Sequence, residues 1–315
     1  MDRLEAMSML VAVVGKGSFS AASRDLRVPL ATLSRKISDL EAHLGARLLT
    51  RTTRRIALTD AGATYVAAAR RILDQVEEAE QEAANEFTMP RGELILTTPI
   101  MFGRLHVLPV VSAFLAALPE INVRLILADR NLHLVEDHVD MAVRIGELPD
   151  GAMVATRIGV MRTVTCASPA CIARHGRPAT PDDLLGMPCV SFDFPGLSPV
   201  WRYRLSQPPR ASRASEAANI AIRPRLSVTT AEAAVEAAIL GTGVTRLLHY
   251  QVATAVESGL LEIVLQDFEL PPSPVHVVHV ARGQMPLKMR RFLDFAVPRL
   301  RQTLAAQGIG GQARA

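Results

Sequence analysis

The chain has 315 residues, of which 49% are hydrophobic, and a formal net charge of +4 at pH 7. This length and apolar content exclude a disordered chain and predict two domains with separate cores. Three cysteines are too few for a disulfide framework, and the start at Met1 lacks a leader-like pattern. Apolar runs such as Ala233 to Leu240 fall short of the roughly 18 residues that cross a bilayer, so we expect a cytoplasmic protein without a membrane partner.

The first helix is predicted from an apolar face that Gly15 and Gly17 would end. That face consists of Leu4, Met7, Leu10, Val11 and Val14. Ser18 has the chemistry of an N-cap for a second helix over residues 19–26. Pro29 suits the first position of a third helix, where no backbone donor is needed.

The third helix is predicted from Leu30 to Leu44, with Gly45 as its C-terminal stop. Its apolar residues recur at intervals of four, three and four, which leaves a polar face opposite a buried stripe. The stripe is formed by Leu33, Ile37, Leu40 and Leu44. Two helices of this size joined by about three residues form a helix-turn-helix.

A small hairpin with a basic tip is predicted next, because residues 51–55 carry three arginines between two short apolar segments. Thr59 to Gly62 then cap a long helix with a near-heptad apolar seam. The seam consists of Tyr65, Ala69, Ile72, Val76, Ala79 and Ala83. It packs either on its own domain or against a second copy, and the acidic residues around its other faces favour the second copy.

Charge changes sign where the hairpin ends and the long helix begins. Residues 27–55 contain seven basic and two acidic side chains, whereas residues 60–86 contain two basic and seven acidic ones. A basic segment with such an abrupt edge indicates a module that binds a polyanion.

Beyond a break at residues 89–92, predicted strands alternate with helices, which is typical of βαβ units. The predicted strands are Leu94 to Thr98, Val123 to Leu127, Met141 to Ile145, Thr163 to Ala167, Cys189 to Phe192, Arg225 to Val228, Val244 to Leu247 and Val275 to Ala281. The predicted helices are Leu105 to Ala117, Leu132 to His138, two that open at Ser168 and Thr180, Ala231 to Leu240, and Pro286 to Leu304. About 215 residues of this pattern exceed one small unit and favour two α/β lobes with a cleft.

Three ordered motifs resemble the LysR-type family of bacterial transcriptional regulators. They are the run from Gly17 to Leu26, the run from Leu33 to Leu49, and the wing and cap formed by residues 51–55 and 58–62. The segments Asp140 to Gly146 and Ala237 to Thr245 also resemble the effector domain of this family, whereas residues 195–218 match it only loosely.

The resemblance implies an all-α winged helix-turn-helix and a linker helix, followed by an α/β effector domain of two Rossmann-like lobes similar to periplasmic binding proteins. The expected boundaries are 1–59 for DNA binding, 60–89 for the linker and dimerisation helix, 90–303 for the effector domain and 304–315 for a tail. The first lobe would comprise 92–162 and 268–303, and the second lobe 163–267. The implied partners are double-stranded operator DNA, a small-molecule effector, one or three further copies of the chain, and RNA polymerase.

The third helix offers the side chains that duplex recognition needs on its polar face. Thr32, Arg35 and Lys36 are the candidates for base edges. Ser18, Ser34 and Ser38 are the candidates for phosphates within the helix-turn-helix from Phe19 to Ser38, and Arg51, Thr53 and Arg54 are those of the wing.

Effector candidates lie where predicted strands end or helices begin, because such positions face a cleft and supply backbone donors. They are Thr98, Pro99, Arg144, Phe192, Thr229 and Thr230. For four of them, the family resemblance also implies a place in the pocket: Thr98, Arg144, Phe192 and Thr230. A helix N-terminus and an arginine favour an organic acid as effector.

No catalytic residue, cofactor or metal site is predicted. Cys166, Cys171 and His175 have a ligand-like spacing without an evident fourth ligand, so buried thiols or a redox switch are the alternatives to zinc. Gly241 and Gly243 are too few for a dinucleotide fingerprint and more simply end a helix. The alternative function is an α/β enzyme or solute-binding protein that carries a helix-turn-helix.

Overall fold

The computed structural model describes residues 2–51, 56–83, 90–148, 151, 153–192, 199–204, 217–281 and 285–306. The chain forms two compact units, Met1–Gly92 and Glu93–Ala315. Each unit is described separately.

The N-terminal unit consists of helices around one small core, followed by a hairpin and a long helix. Its elements are α1 (Arg3–Lys16), α2 (Phe19–Leu26), α3 (Leu30–Leu44), β1 (Leu49–Arg51), β2 (Ile56–Leu58) and α4 (Asp60–Ala83). The predicted stripe of α3 is buried at Leu33, Ile37 and Leu40 and packs against α1. The helix-turn-helix and the two-stranded wing are confirmed.

Local capping decides where these helices begin and end. The Ser18 hydroxyl accepts a hydrogen bond from the Ala21 amide at 3.3 Å, which confirms the predicted N-cap of α2. Gly17 ends α1 at φ 62°, as predicted. Gly15 lies inside that helix and does not help to end it, contrary to the prediction. Pro29 is extended, at ψ 138°, and therefore precedes α3 as its N-cap residue instead of occupying its first position.

The wing and the long helix meet at one close backbone approach. The Thr59 hydroxyl accepts from the Gly62 amide at 2.9 Å and donates to the Arg47 carbonyl at 2.7 Å, which confirms the predicted cap of α4 and ties it to the chain before β1. A Cβ atom on Gly62 would lie 1.9 Å from the Leu48 carbonyl oxygen. Glycine is therefore required where α4 crosses β1.

The second unit contains two five-stranded sheets and a separate hairpin. Its strands are β3 (Gly92–Thr98), β4 (Ile121–Leu127), β5 (Met141–Ile145), β6 (Met153–Met161), β7 (Thr163–Ala167), β8 (Cys189–Phe192), β9 (Val200–Arg204), β10 (Ala217–Ala221), β11 (Pro224–Val228), β12 (Val244–Leu248), β13 (Glu262–Val264) and β14 (Ser273–Val280). The strand orders are β4-β3-β5-β14-β6 in the first lobe and β11-β8-β12-β7-β13 in the second, and β9 pairs with β10. The chain crosses between the sheets twice, after β6 and after β13, so β14 returns to the first lobe.

Helices cover these sheets. They are α5 (Ile100–Phe102), α6 (Leu108–Ala117), α7 (Pro169–His175), α8 (Ala231–Ile239), α9 (His249–Glu257) and α10 (Leu287–Ala306), and the π-helical turn Gly103–Val107 joins α5 to α6. A large apolar cluster extends from α6, α10 and the first sheet through Phe102 and Tyr250 to α8 and the second sheet. The two lobes therefore share a continuous core.

One predicted helix is wrong. Residues Leu132 to His138 form hydrogen-bonded turns, because Leu132 and Leu134 are both buried two positions apart, which is not a helical spacing. The Asp137 carboxylate accepts from the His133 amide at 2.8 Å, and His138 adopts φ 55°. The Asp137 amide still makes a helical hydrogen bond to the His133 carbonyl, and the left-handed residue His138 ends the segment after this one turn.

Several elements were not predicted. Strands β6, β9, β10 and β13 and helix α9 have no counterpart in the predicted pattern, and the element opening at Thr180 is a 3-10 turn, Pro181–Gly186. The helix predicted from Leu105 begins five residues earlier, at Ile100.

Among the described residues, the helical run Ile100–Ala117 has the length and the apolar composition of a helix that could cross a membrane. This run was overlooked in the sequence, where Arg104 and His106 interrupt it. Its Phe102, Val107 and Phe114 side chains are buried in the core of the first lobe, as in a core helix of a globular domain.

Candidate functional site

The polar face of α3 is open on the side opposite its buried stripe. Arg35 and Ser38 are exposed, and Thr32 is half-buried. Arg35 has no hydrogen bond or ion pair among the described residues. Its guanidinium is therefore available to a ligand that approaches this face.

Lys36 is placed differently from its neighbour Arg35. It lies at the edge of the buried stripe, half-buried, and its ammonium forms an ion pair with the Glu5 carboxylate of α1. Ser34 is also half-buried. Glu5 was missed by the sequence reasoning, because nothing in the local pattern of α1 shows that it faces α3.

The remaining candidates of this unit lie at its turn and wing. Ser18 is half-buried and holds the start of α2 through its N-cap bond. Arg51 ends β1, and its side chain lies outside the described residues, as do Thr53 and Arg54.

The seam of α4 faces two environments within one chain. Tyr65 and buried Ala69 lie in the half of α4 that packs on its own unit through α1, and burial raises the pKa of Tyr65. Further along, Ile72 is 38% exposed and Val76 is half-buried. The side chains of Ala79 and Ala83 lie outside the described residues.

In the first lobe, the ends of β3, β4 and β5 form one edge. Thr97 pairs with Ala142 in parallel register, so Pro99 and Arg144 lie side by side two residues further along. Arg144 Nη2 donates to the Leu132 carbonyl at 2.6 Å, and burial lowers its pKa. Thr98 is 2% exposed, and its hydroxyl has no hydrogen-bond partner among the described residues.

In the second lobe, the ends of β8 and β11 form the corresponding edge. Phe192 pairs with Val228 in parallel register, and exposed Thr229 follows directly. The Thr230 hydroxyl accepts from the Ala233 amide at 3.3 Å and so caps α8. Phe192 packs against the shared core.

Side-chain contacts join the two edges. Arg104 Nη2 of the first lobe lies 3.8 Å from Glu232 Oε1 in the first turn of α8. The Tyr250 ring of α9 makes edge contacts with the rings of Phe102 and His106, at centroid distances of 5.6 and 5.5 Å. These contacts join the helices that follow β3, β11 and β12, next to the strand ends that carry the effector candidates.

Asp129 lies beside the segment that follows β3 and was not among the predicted candidates. Its Oδ1 accepts from the Ile100 amide at 3.0 Å and caps the helix that begins there, while Oδ2 is buried without a partner among the described residues. Burial raises the pKa of Asp129, and the Glu232 carboxylate raises it further. The rule that selected Thr98, a polar residue where a strand ends, also applies to Asp129, two residues after β4.

The three cysteines form part of the buried interior of the second lobe. Burial raises the pKa of Cys166 to about 12 and that of Cys189 to about 11, so both thiols are protonated at neutral pH. Among the described residues no group of three histidine, cysteine or acidic side chains is arranged to hold a metal. Gly241 turns the chain after α8 at φ 77°, as predicted.

Two family matches cover nearly the whole chain. Residues 4–63 match the family described as "Bacterial regulatory helix-turn-helix protein, lysR family", and residues 88–301 match the "LysR substrate binding domain". The chain belongs to the LysR family. It is thus a DNA-binding transcriptional regulator whose action a small-molecule effector modulates.

Relatives agree with this assignment over most of their length. An HTH-type transcriptional regulator of Xanthomonas campestris pv. campestris is 36% identical over 93% of this chain and 84% of its own. CrgA, a LysR-type regulator from Neisseria meningitidis, is 30% identical, covers 94% of this chain and 98% of its own, and superposes with a TM-score of 0.59. A full-length AphB variant is 25% identical with the same coverage and a TM-score of 0.61. The names of the relatives point to regulators, not to enzymes.

Proposed function

We propose that α3 enters the major groove of an operator and that the basic wing lies along the adjacent backbone. Arg35 carries this proposal, because it is exposed opposite the buried stripe and free of intramolecular partners among the described residues. Thr32, Arg35 and Lys36 then read base edges, Ser18, Ser34 and Ser38 contact phosphates, and Arg51, Thr53 and Arg54 act at the wing. Lys36 must leave Glu5, a partly exposed pair whose loss costs on the order of 1 kcal/mol.

The effector binds at the interlobe site and is an organic acid. Thr98, Pro99 and Arg144 contact it from the first lobe, and Phe192, Thr229 and Thr230 from the second. The support is that Arg104, in the helical turn after β3, contacts Glu232, in the first turn of the helix after β11, so segments next to both strand ends meet. The guanidinium of Arg144 supplies the planar fork that suits a carboxylate.

The regulator acts as a homodimer or homotetramer in the cytoplasm and contacts RNA polymerase. The α4 seam supplies the dimer interface, and exposed Ile72 supports this role because large aliphatic side chains on a regular seam are normally covered. The protein turns over no ligand that it binds. Boundaries near residues 59, 89 and 303 separate the DNA-binding, linker, effector and tail segments.

The test is a thermal-unfolding screen of the full chain against aromatic and aliphatic carboxylic acids, paired with operator binding. A ligand at about 100 times its Kd should raise the melting temperature by several degrees. The same compound should change operator affinity, and Arg144→Ala should remove both effects. Arg124→Ala is the matched control, since Arg124 is an exposed arginine paired with Glu93 in the same lobe.

The proposal for the effector site fails if Arg144→Ala retains the full shift of an active acid, or if that acid leaves operator binding unchanged. A product that accumulates when the purified protein is incubated with the acid would contradict the assignment as a non-enzyme.

A further inference from the structure

Unsatisfied polar atoms are concentrated at one end of the interlobe site. Six buried side-chain polar atoms lack a hydrogen-bond partner among the described residues, and four of them belong to Thr98, His106 and Asp129. Thr98 is 2% and His106 is 3% exposed, so these groups do not find partners in bulk water. Because buried polar groups in folded proteins are nearly always paired, this concentration indicates a place where a polar ligand binds.

The charges at this end are negative. Burial raises the pKa of the Tyr250 hydroxyl, and the carboxylates of Asp129 from the first lobe and Glu232 from the second raise it further. The Tyr250 ring contacts the ring of His106. Arg104 is 55% exposed and, among the described residues, forms an ion pair with Glu232, at 3.8 Å. One buried carboxylate oxygen, Asp129 Oδ2, thus remains without a compensating donor.

The start of α8 is a weaker anion site than its position suggests. Glu232 lies in the first turn of that helix and offsets its positive end, and the Thr230 hydroxyl is already occupied by the Ala233 amide. An acid held by α8 alone would face the Glu232 carboxylate. The cationic group of the site is Arg144, at the end of β5, on the far side of β3 from Asp129.

We propose that the effector carries a protonated amine as well as a carboxylate. The amine lies between Asp129 and Glu232, with Thr98 and His106 completing its hydrogen bonds, and the carboxylate lies at Arg144. The strand order β4-β3-β5 separates the two ends by about two strand spacings, roughly 10 Å between backbones. Because Asp129 and Glu232 come from different lobes, an ammonium group relieves their repulsion and holds the lobes together. This inference rests on the proposed effector site.

The experiment compares compounds whose two charged groups can span this distance with their singly charged counterparts of equal chain length: 6-aminohexanoate with hexanoate and hexylamine, and 8-aminooctanoate with octanoate and octylamine. Melting temperature is measured for the full chain and for the Asp129→Asn, Glu232→Gln and Glu120→Gln variants. Asn keeps the cap on the Ile100 amide while it removes the charge. Glu120 is an exposed carboxylate of the first lobe and serves as the control.

The expected result is a shift of several degrees with an amino acid that is larger than the shift with its matching acid. Asp129→Asn should weaken binding of that amino acid about tenfold or more, and Glu120→Gln should not. Without ligand, Asp129→Asn should raise the melting temperature, because it removes an uncompensated carboxylate.

The proposal is overturned if the acids alone raise the melting temperature, equally in the parent and in Asp129→Asn. It is also overturned if Asp129→Asn lowers the melting temperature of the ligand-free chain. In either case the effector site at Arg144 stands. If instead an amino acid binds through Asp129 but leaves operator affinity unchanged, the ammonium site stands and the regulatory role of the site fails.

Discussion

Arg35 offers the sharpest test of how this regulator reads DNA. Its side chain is exposed on α3, and Leu33 and Ile37 of the same helix are buried in the core, so Arg35→Ala removes a reading group without disturbing packing. A bidentate contact from arginine to guanine contributes about 1–3 kcal/mol, which corresponds to a roughly 5- to 150-fold increase in Kd.

The assay is fluorescence anisotropy with a duplex that the protein itself selects from a random library, and with a scrambled duplex of equal length. If Arg35 reads a base, Arg35→Ala weakens binding to the selected duplex only, and Arg35→Lys does not restore it because an ammonium lacks the planar fork. Arg124→Ala removes the same charge from an exposed site of the effector unit and controls for net charge.

A phosphate contact would give a different result. Both duplexes would then lose affinity equally, and the slope of log Kd against log salt would fall by about 0.9. Equal loss on both duplexes, or an unchanged Kd for the selected one, refutes the assignment of Arg35 to a base edge.

Three further predictions concern stability and reactivity. Gly62→Ala should destabilise the N-terminal unit by roughly 2–4 kcal/mol, measured by urea unfolding, because the added Cβ would lie 1.9 Å from the Leu48 carbonyl oxygen. Gly15→Ala is the control: Gly15 lies inside α1 with open space around it, so this substitution should be neutral or stabilising. Burial lowers the pKa of His106 below its ordinary 6.5, so as the pH falls the imidazole is protonated in the unfolded chain before it is protonated in the folded one. The free energy of unfolding should therefore decrease as the pH drops below about 6.5. If His106→Gln loses the same amount of stability over this pH range, His106 is not the cause. Cys166 and Cys189 should resist iodoacetamide at about pH 8 until denaturant is added, since burial keeps both thiols protonated, and rapid labelling of the native protein would reopen the redox alternative.

The N-terminal unit was predictable from sequence because its signals are local. The period of Leu33, Ile37 and Leu40 fixes the buried face of α3, and Ser18 and Gly45 carry their capping chemistry within one helical turn. The family motifs then supply the order of recognition helix, wing and linker. The ends of strands in the effector unit were predictable for the same reason, so Thr98 and Arg144 could be selected before their contacts were known.

Only the tertiary structure decided the features that depend on distant parts of the chain. Strand β6 pairs with β14, which lies far from it in the chain, and the turn from Leu132 to His138 follows the burial of two leucines against the sheet. Lys36 and Glu5 are 31 residues apart, yet they meet because α1 packs on α3. Burial raises the pKa of Asp129, and the Glu232 carboxylate raises it further although the two residues lie in different lobes, 103 positions apart in the chain. Local sequence encodes which face of an element is apolar, whereas the partner of a charged side chain is set by packing that no single element contains.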